Sequence, residues 1–481
     1  MTWISRLTRT CCMATVVAWM LVSTAAHSAE TAEAKRPLNV LFIAIDDLND
    51  WPGFLGGNAQ VKTPNLDRLA AQGTAFTRAY CAAPLCNPSR TALMTGILPS
   101  RSGVYENNQD WRTSPMLQKA VTLPQHFMAN GYTATGSGKI YHGRFSHPAS
   151  WESYWPSQTE NKPDDPNPPQ LPWKGGDAAR AHFDWGPLDV EDGEMGDAKV
   201  VGWVGEQLKA AHDKPFFLAC GLFRPHLPWY VPKKYFDLYP LDSIVLPEVK
   251  AGDLDDIPVL GRKMANPEGD HKRVLETGKW KEAVQAYMAS IAFTDACIGQ
   301  LLDAVAASPH RDNTLIVLWS DHGWHLGEKE HWRKFTLWEE ATRNLLVFAG
   351  AGITPGQRCD VPVGLIDIYP TLTELCGLPA REGIDGLSLV PQLRDPFATR
   401  ERPALTTFGY NNHAVRTAKW RYIRYSDGTE ELYDHDNDEM EWTNLAGDAQ
   451  YDGLKAELGA WMPKEVVQPI ARAAAKEQGQ E

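Results

Sequence analysis

Cysteine is scarce in this chain, and basic charge is in deficit. Its 481 residues include eight cysteines, and 47 Lys+Arg stand against 60 Asp+Glu for a net charge of −13. The wide cysteine spacing and the lack of a C-x-x-C pair exclude a dense disulfide framework and the common zinc patterns. The acidic balance excludes a protein built to bind nucleic acid, because neutralising phosphates needs a basic face. There is no internal repeat and no low-complexity tract, which removes solenoid, collagen-like and disordered readings. With 43% hydrophobic and 22% charged residues, the chain is long enough for one large or two ordinary domains.

The N-terminus reads as an address. Arg6 and Arg9 precede an apolar run from Cys11 to Ala26, with small residues at Ser28 and Ala29. The run is shorter than the roughly 20 residues a spanning helix needs, so residues 1–29 read as a secretory signal peptide. Export to the periplasm or the medium is expected. No later stretch reads as long and apolar enough to span, so no stable membrane insertion is expected. Six cysteines remain after this segment. Cys220 and Cys297 read as buried small hydrophobes, whereas Cys86 stands in a different context.

Two apolar, β-branched runs organise the middle of the chain. Asn39–Ile45 ends in Asp46-Asp47, and Thr314–Ser320 ends in Asp321-His322. Each suits a strand buried on both faces of a parallel sheet, and each delivers a carboxylate at the sheet's carboxyl edge, where open α/β folds bind ligands. Helical patterns at Trp280 to Ala307 and Asp367 to Cys376 complete an α/β alternation. Residues 148–185, rich in Pro, Asp, Gly and Trp, read as an elaborated loop carrying Trp151, Trp155, Trp173 and Trp185. Residues 241–278 read as a second irregular excursion. After about residue 386, short alternating runs (414–417, 420–425, 431–433) and a helix near Tyr451 to Trp461 predict a smaller subdomain with an antiparallel sheet. The expected division is 1–29 signal, 36–385 catalytic α/β domain and 386–481 C-terminal subdomain.

Residues 86–96, Cys-Asn-Pro-Ser-Arg-Thr-Ala-Leu-Met-Thr-Gly, carry the chemistry. They match C-x-P-S-R…T-G, the signature of the type I sulfatases of the alkaline phosphatase superfamily. Six fixed residues at about 5% each arise by chance about once in 10⁸ starting positions. Thr63-Pro64-Asn65-Leu66-Asp67-Arg68-Leu69 and Gly73-Thr74-Ala75-Phe76 upstream also resemble sulfatase segments, as do Glu431–Asp434 and Thr443–Ala446 near the end. The resemblance therefore runs from about residue 38 to about 450. It implies an alkaline-phosphatase-like sandwich with a large, mostly parallel sheet, and a Cys86 that a maturation enzyme oxidises to formylglycine. Hydrated, that residue has two hydroxyls on one carbon, one to take the sulfuryl group and one to expel sulfate. A helix opening at Pro88-Ser89-Arg90 would favour a bound anion at its N-terminus, with Arg90 fixing the nucleophile and neutralising nearby carboxylates.

Crowding Asp46, Asp47 and Asp321 together calls for a cation, and oxygen ligands suit a hard ion such as Ca²⁺. The resemblance implies a calcium set of Asp46, Asp47, Cys86, Asp321 and His322, and His322 resembles the iduronate-2-sulfatase type. A two-zinc phosphatase would need more histidines and a Ser or Thr nucleophile. Gly138-Lys139-Ile140-Tyr141-His142, Arg224-Pro225-His226-Leu227-Pro228 and Asp321-His322-Gly323-Trp324 through Trp332-Arg333-Lys334 also match that branch. They imply Lys139 and Lys334 on sulfate oxygens, His226 as general acid and His142 as base, two roles that are exchangeable at this stage. His325, His331 and Arg333 map to no role.

The expected activity is hydrolysis of a sulfate ester, with sulfated carbohydrate as substrate partner. A phosphonate monoester or phosphodiester hydrolase, or a non-catalytic binder of sulfated glycans, stands as the alternative. The two excursions are expected to wall the pocket, with Trp rings either stacking on sugar or packing the loop down. Asn87 departs from the Ser, Thr or Ala usual after the modified cysteine.

Overall fold

Strand Asn39–Ile45 has every residue buried, and its alternation sorts the molecule into two layers. Leu41, Ile43 and Ile45 point into one hydrophobic core, and Val40, Phe42 and Ala44 into a second on the opposite face. Each buried Leu, Ile, Val or Phe side chain contributes about 1.5–3 kcal/mol. Slipping the register by one residue would exchange the two sets, which fixes the register. The computed structural model describes residues 36–160, 162–166 and 183–473. The 1–29 segment and Trp173 lie outside them.

Among the described residues, the sheet around this strand has nine strands. Across it run Gln357–Cys359, Gly73–Tyr80, Arg343–Gly350, Thr314–Ser320, Asn39–Ile45, Phe216–Leu222, Thr133–Gly138 and Ser153–Trp155, with Val363–Gly364 also paired to Gly73–Tyr80. Only Arg343–Gly350 runs antiparallel to its neighbours. Helices Pro64–Ala71, Gly196–Lys209 and Trp280–Ala307 bury apolar residues in the first core, and helices Cys86–Thr95, Leu123–Ala129 and Ile368–Leu375 in the second. The fold is thus an α/β sandwich with a mostly parallel central sheet.

Four antiparallel strands, Ala404–Thr407, His413–Arg416, Trp420–Arg424 and Glu430–Asp434, form a separate sheet, followed by helix Asp452–Gly459. Described residues from Pro37 onward belong to one compact unit. A buried ionic network joins this second sheet to the segment just after Lys334. Glu339 accepts from Arg416 (3.1 Å) and Arg421, and Glu441 accepts from Arg421, His435 (2.9 Å) and the Glu339 amide (2.9 Å).

Three sequence expectations change. Ser153–Trp155, placed within a loop, is the edge strand of the main sheet and pairs in parallel with Thr135–Ser137. The 241–278 excursion contains helices Val259–Ala265 and Asp270–Thr277. Helix Trp280–Ala307 is long and apolar enough to cross a membrane by composition, contrary to expectation. Most of it is buried in the first core, and this packing is the reason for its apolar character. Cys220 and Cys297 are buried as expected, and all six described cysteines are free thiols. The described tryptophans of the 148–185 loop pack inward. Trp151 and Trp185 are buried, and Trp155 stacks on Trp203 with ring centroids 6.4 Å apart.

Candidate active site

Four adjacent parallel strands end at one edge, and each hands a polar segment to the same place. Ile45 is in register with Ser320 and Leu222, and Gly221 with Gly138. The residues that follow are Asp46-Asp47, Asp321-His322, Phe223 to His226, and Lys139. The Gly138–Gly221 pair permits a close crossing: a Cβ on Gly138, at φ +82°, would lie 1.8 Å from the Gly221 carbonyl oxygen. That oxygen accepts from the Lys139 amide at 3.1 Å.

Cys86 opens helix Cys86–Thr95, which reaches the edge from the second layer. Arg90, one turn on, is wholly buried and spans three segments. Its Nε donates to Asp321 Oδ2 (2.8 Å), Nη2 to Asp46 Oδ1 (3.0 Å), and Nη1 to the Lys139 and Ile140 carbonyls (2.5 and 3.1 Å). Arg90 thus holds the carboxylates, as expected. The cation hydrogen-bonded to the Cys86 sulfur is Lys334, whose Nζ lies 3.0 Å from Sγ and 2.8 Å from Asp47 Oδ1. Lys139 Nζ donates to Asp46 Oδ2.

The helix start is less open to an anion than expected. The Asn87 amide already donates to Asn107 Oδ1 (2.9 Å), and the Asn87 side chain donates to the Glu106 and Gln109 carbonyls. Asn87 therefore pins the 106–109 turn to the helix start.

Asp47 adopts a left-handed backbone, φ 60°, which costs a non-glycine residue about 1–3 kcal/mol and persists only when its surroundings over-determine it. Here its amide donates to Asp321 Oδ1 (3.0 Å), and its carbonyl accepts from Tyr287 Oη (2.8 Å).

The neighbouring carboxyls titrate apart. Burial alone would raise Asp46, but Lys139, His226, Arg90 and Lys334 outweigh it and hold Asp46 well below the carboxylate range. For Asp47 burial wins, and its pKa is pushed up to about 7 against the opposing charge of Lys334. Burial also lifts the Cys86 thiol to about 12, so the unmodified sulfur stays protonated at neutral pH. Burial lowers His322 to about 4 and His142 to about 3, the latter helped by Lys139. Both imidazoles are therefore neutral.

Side-chain atoms of Asp47, Cys86, Asp321 and His322 lie within 4.8 Å of one another, and so do those of Asp46, Asp47 and His226. The five expected ligands thus form two groups sharing Asp47, with Asp46 grouped beside His226. The donor set fits a hard cation. Asp47 Oδ2 is buried without a hydrogen-bond partner among the described residues, despite the surrounding cations. His322 has Nδ1 3.1 Å from the Gly323 carbonyl, which can only accept a proton. The Nε2 lone pair is thereby left facing Cys86 Sγ (3.4 Å) and Asp47 Oδ1 (3.3 Å).

His226 has Nδ1 2.6 Å from the Leu227 carbonyl, which likewise leaves Nε2 to face Asp47 Oδ2 at 3.7 Å. His142 is half-buried, and its Nδ1 has no hydrogen-bond partner among the described residues. It flanks the cluster.

Several supporting residues carry no signal in the sequence. Tyr287 looks like any core aromatic of a long helix. Phe223 lies under the ammonium groups of Lys139 (5.1 Å) and Lys162 (5.2 Å), and Trp324 under Lys334 (5.6 Å). Arg224, within the quoted R-P-H-L-P step, braces the His226 backbone (3.3 Å) and is held by Asp165 (2.7 Å).

The chain is similar to known proteins. A sulfatase profile matches residues 38–378, and a profile of the C-terminal part of N-sulphoglucosamine sulphohydrolase matches 327–468. A sulfatase of Formosa agariphila is 41% identical, covering 90% of this chain and 87% of the relative. A choline-sulfatase of Rhizobium meliloti is 31% identical (85% and 82%), and human iduronate 2-sulfatase 28% (82% and 76%). A solved structure in complex with its substrate D-glucosamine-2-N,6-O-disulfate superposes with a TM-score of 0.71 at 21% identity, covering 88% of this chain and 96% of that one. With the profile covering most of the chain on the fold and site described, the protein belongs to the sulfatase family and is a sulfuric ester hydrolase.

Proposed function

We propose that this sulfatase is exported and releases sulfate from sulfated carbohydrate, using Cys86 matured to formylglycine and a calcium ion. The observation that carries the reading is the Cys86 environment. Its thiol is held protonated, yet it lies 3.0 Å from Lys334 and 3.4 Å from His322. A residue so placed contributes little as a thiol, and the geometry suits an oxygen nucleophile. The carbohydrate class is supported by the likeness to iduronate 2-sulfatase and to the glucosamine disulfate complex.

Oxidised by its maturation enzyme and hydrated, residue 86 supplies one hydroxyl to take the sulfuryl group and a second to expel sulfate. Asp46, Asp47, Asp321, His322 and residue 86 would hold the calcium ion, which would supply charge neutralisation among the carboxylates and polarisation of a sulfate oxygen. Lys139 and Lys334, both buried, hold the remaining charge of the sulfuryl group. As the imidazolium, with Nδ1 kept on the Leu227 carbonyl, His226 gives its Nε2 proton to the departing sugar oxygen, and neutral His142 accepts one when sulfate is expelled. Sulfate release from a panel of defined sulfated oligosaccharides tests the whole reading, and a chain inert on every member would sink it.

His226→Gln is expected to slow sugar-sulfate hydrolysis by about 10²–10⁴-fold. The loss should be much smaller for an aryl sulfate, whose phenolate departs without a proton. Equal losses on both would remove His226 from the acid role and favour His142.

Calcium binding should be pH-linked through Asp47. The raised pKa means that, without metal, stability falls as pH climbs from about 4 toward about 7, while the ion needs the deprotonated form. Calcium affinity should therefore rise about tenfold per unit over roughly pH 5–7, read by calorimetry after chelation. A flat profile would contradict the assignment of Asp47.

A further inference from the structure

The catalytic cluster is closed by its own ion pairs, but a cavity of about 580 Å³ opens beside it, within the roughly 300–1,000 Å³ span of small-molecule sites. Its walls include Leu260, Lys263 and Met264 from the 241–278 excursion, Arg333 and Phe335 from the strip around Lys334, and Phe408 from the loop after strand Ala404–Thr407. Arg333 and Phe335 both have left-handed backbones, φ 77° and 83°. Such strain at consecutive alternate residues is typical of functional sites. Its result here is that residues 333 and 335 face the cavity, while Lys334 between them reaches Cys86. The Phe335 amide also donates to the Pro84 carbonyl (3.3 Å), two residues before Cys86. The cavity wall and the catalytic centre are therefore sides of one strip of backbone.

The lining has two characters. Phe335 and Phe408, with ring centroids 6.3 Å apart, join Leu260 and Met264 in an apolar wall that suits the C–H face of a pyranose. Lys263 is exposed, and Arg333 lies with its guanidinium 4.9 Å from the Phe183 ring centroid. Arg333 Nε donates to Asp270 at 2.6 Å, a partly buried pair with side chains 24% and 26% exposed, which leaves the terminal guanidinium nitrogens to meet a ligand. With Asp270 counted, two cations face one anion, so the cavity carries excess positive charge in a strongly acidic chain.

We propose that this cavity is a subsite for the sugar next to the scissile sulfate, and that Arg333 and Lys263 select a sugar carrying a second anionic group, a sulfate or a carboxylate. The inference rests on the carbohydrate reading above and assigns the charge pattern of the substrate. Arg333 and Lys263 are specificity residues that touch the neighbouring sugar.

The test compares a disaccharide bearing two sulfates and a uronate, a matched monosulfated neutral disaccharide, and 4-nitrophenyl sulfate. The ratio of kcat/KM for the polyanionic disaccharide over the aryl sulfate should fall about tenfold in each of Arg333→Ala and Lys263→Ala, one charge-assisted contact being lost in each. Most of the loss should appear in KM. Calorimetry in a Cys86→Ala chain, which has no nucleophile at that position, reads binding without turnover, and there the preference for the polyanionic over the neutral disaccharide should shrink in the same variants. An unchanged ratio, or equal losses on all three substrates, would overturn the subsite. A chain that shows the binding preference but releases no sulfate would retain the subsite and sink the hydrolase reading instead.

Discussion

A Cys86→Ser chain is expected to release sulfate on the order of 10⁴-fold more slowly than the matured wild type, or worse. Serine keeps the oxygen and the place at the start of helix Cys86–Thr95, beside Lys334 and His322. It lacks the second hydroxyl on the same carbon. Once sulfated it has no C–O route to expel sulfate, and a second attack at sulfur would be required. The variant should therefore stall after one transfer and gain the mass of one sulfuryl group on the peptide containing residue 86. Mass spectrometry of the wild-type peptide should show the aldehyde or its hydrate in place of the thiol. Activity within tenfold of wild type in the serine variant, or an unmodified thiol in active protein, would remove formylglycine from the mechanism.

Arg90→Ala should cost about 3–5 kcal/mol of stability, because it strands two buried carboxylates. Asp46 and Asp321 both pair with this guanidinium, and all three side chains are fully buried. Urea denaturation of the calcium-free protein would read the loss. Arg90→Lys should be intermediate, since an ammonium keeps the charge but cannot span both acids and two carbonyls. The sign of the pH effect follows from Asp46. Its pKa is depressed in the folded state, so its contribution is present above about pH 4 and is lost on acidification below that. In Arg90→Ala this acid-sensitive component should shrink. An unchanged denaturation midpoint would mean that Lys139 alone satisfies Asp46.

Much of the site was legible before folding because its chemistry requires particular residue types at short range. The Cys86–Gly96 segment, the Asp46-Asp47 and Asp321-His322 steps, and the lysines at 139 and 334 all appear as local patterns. Strands 39–45 and 314–320 and helix 280–307 were visible for a related reason: a fully buried element must be apolar along its whole length. The same property hides what such a helix is for, so helix 280–307 satisfies a membrane criterion while serving as core. Loop-like composition concealed the edge strand Ser153–Trp155 and the two helices of the 241–278 excursion, because short elements are held by their neighbours more than by their own propensity.

By itself, the sequence determined the reaction type, through motifs that resemble those of sulfatases, and the α/β class, through burial periodicity. The tertiary structure decided the rest. It brought four strand ends to one edge and paired Asp47 with Asp321, 274 residues apart. It gave Lys334, in place of Arg90, the contact with Cys86. It split two adjacent aspartates into one held ionised and one pushed up to about 7. It also placed Arg333, which had no role in the sequence, in the wall of a cavity next to the Lys334 backbone. The reason is physical: electrostatics and cavity shape depend on distances between residues far apart in the chain, and sheet register and side-chain packing set those distances.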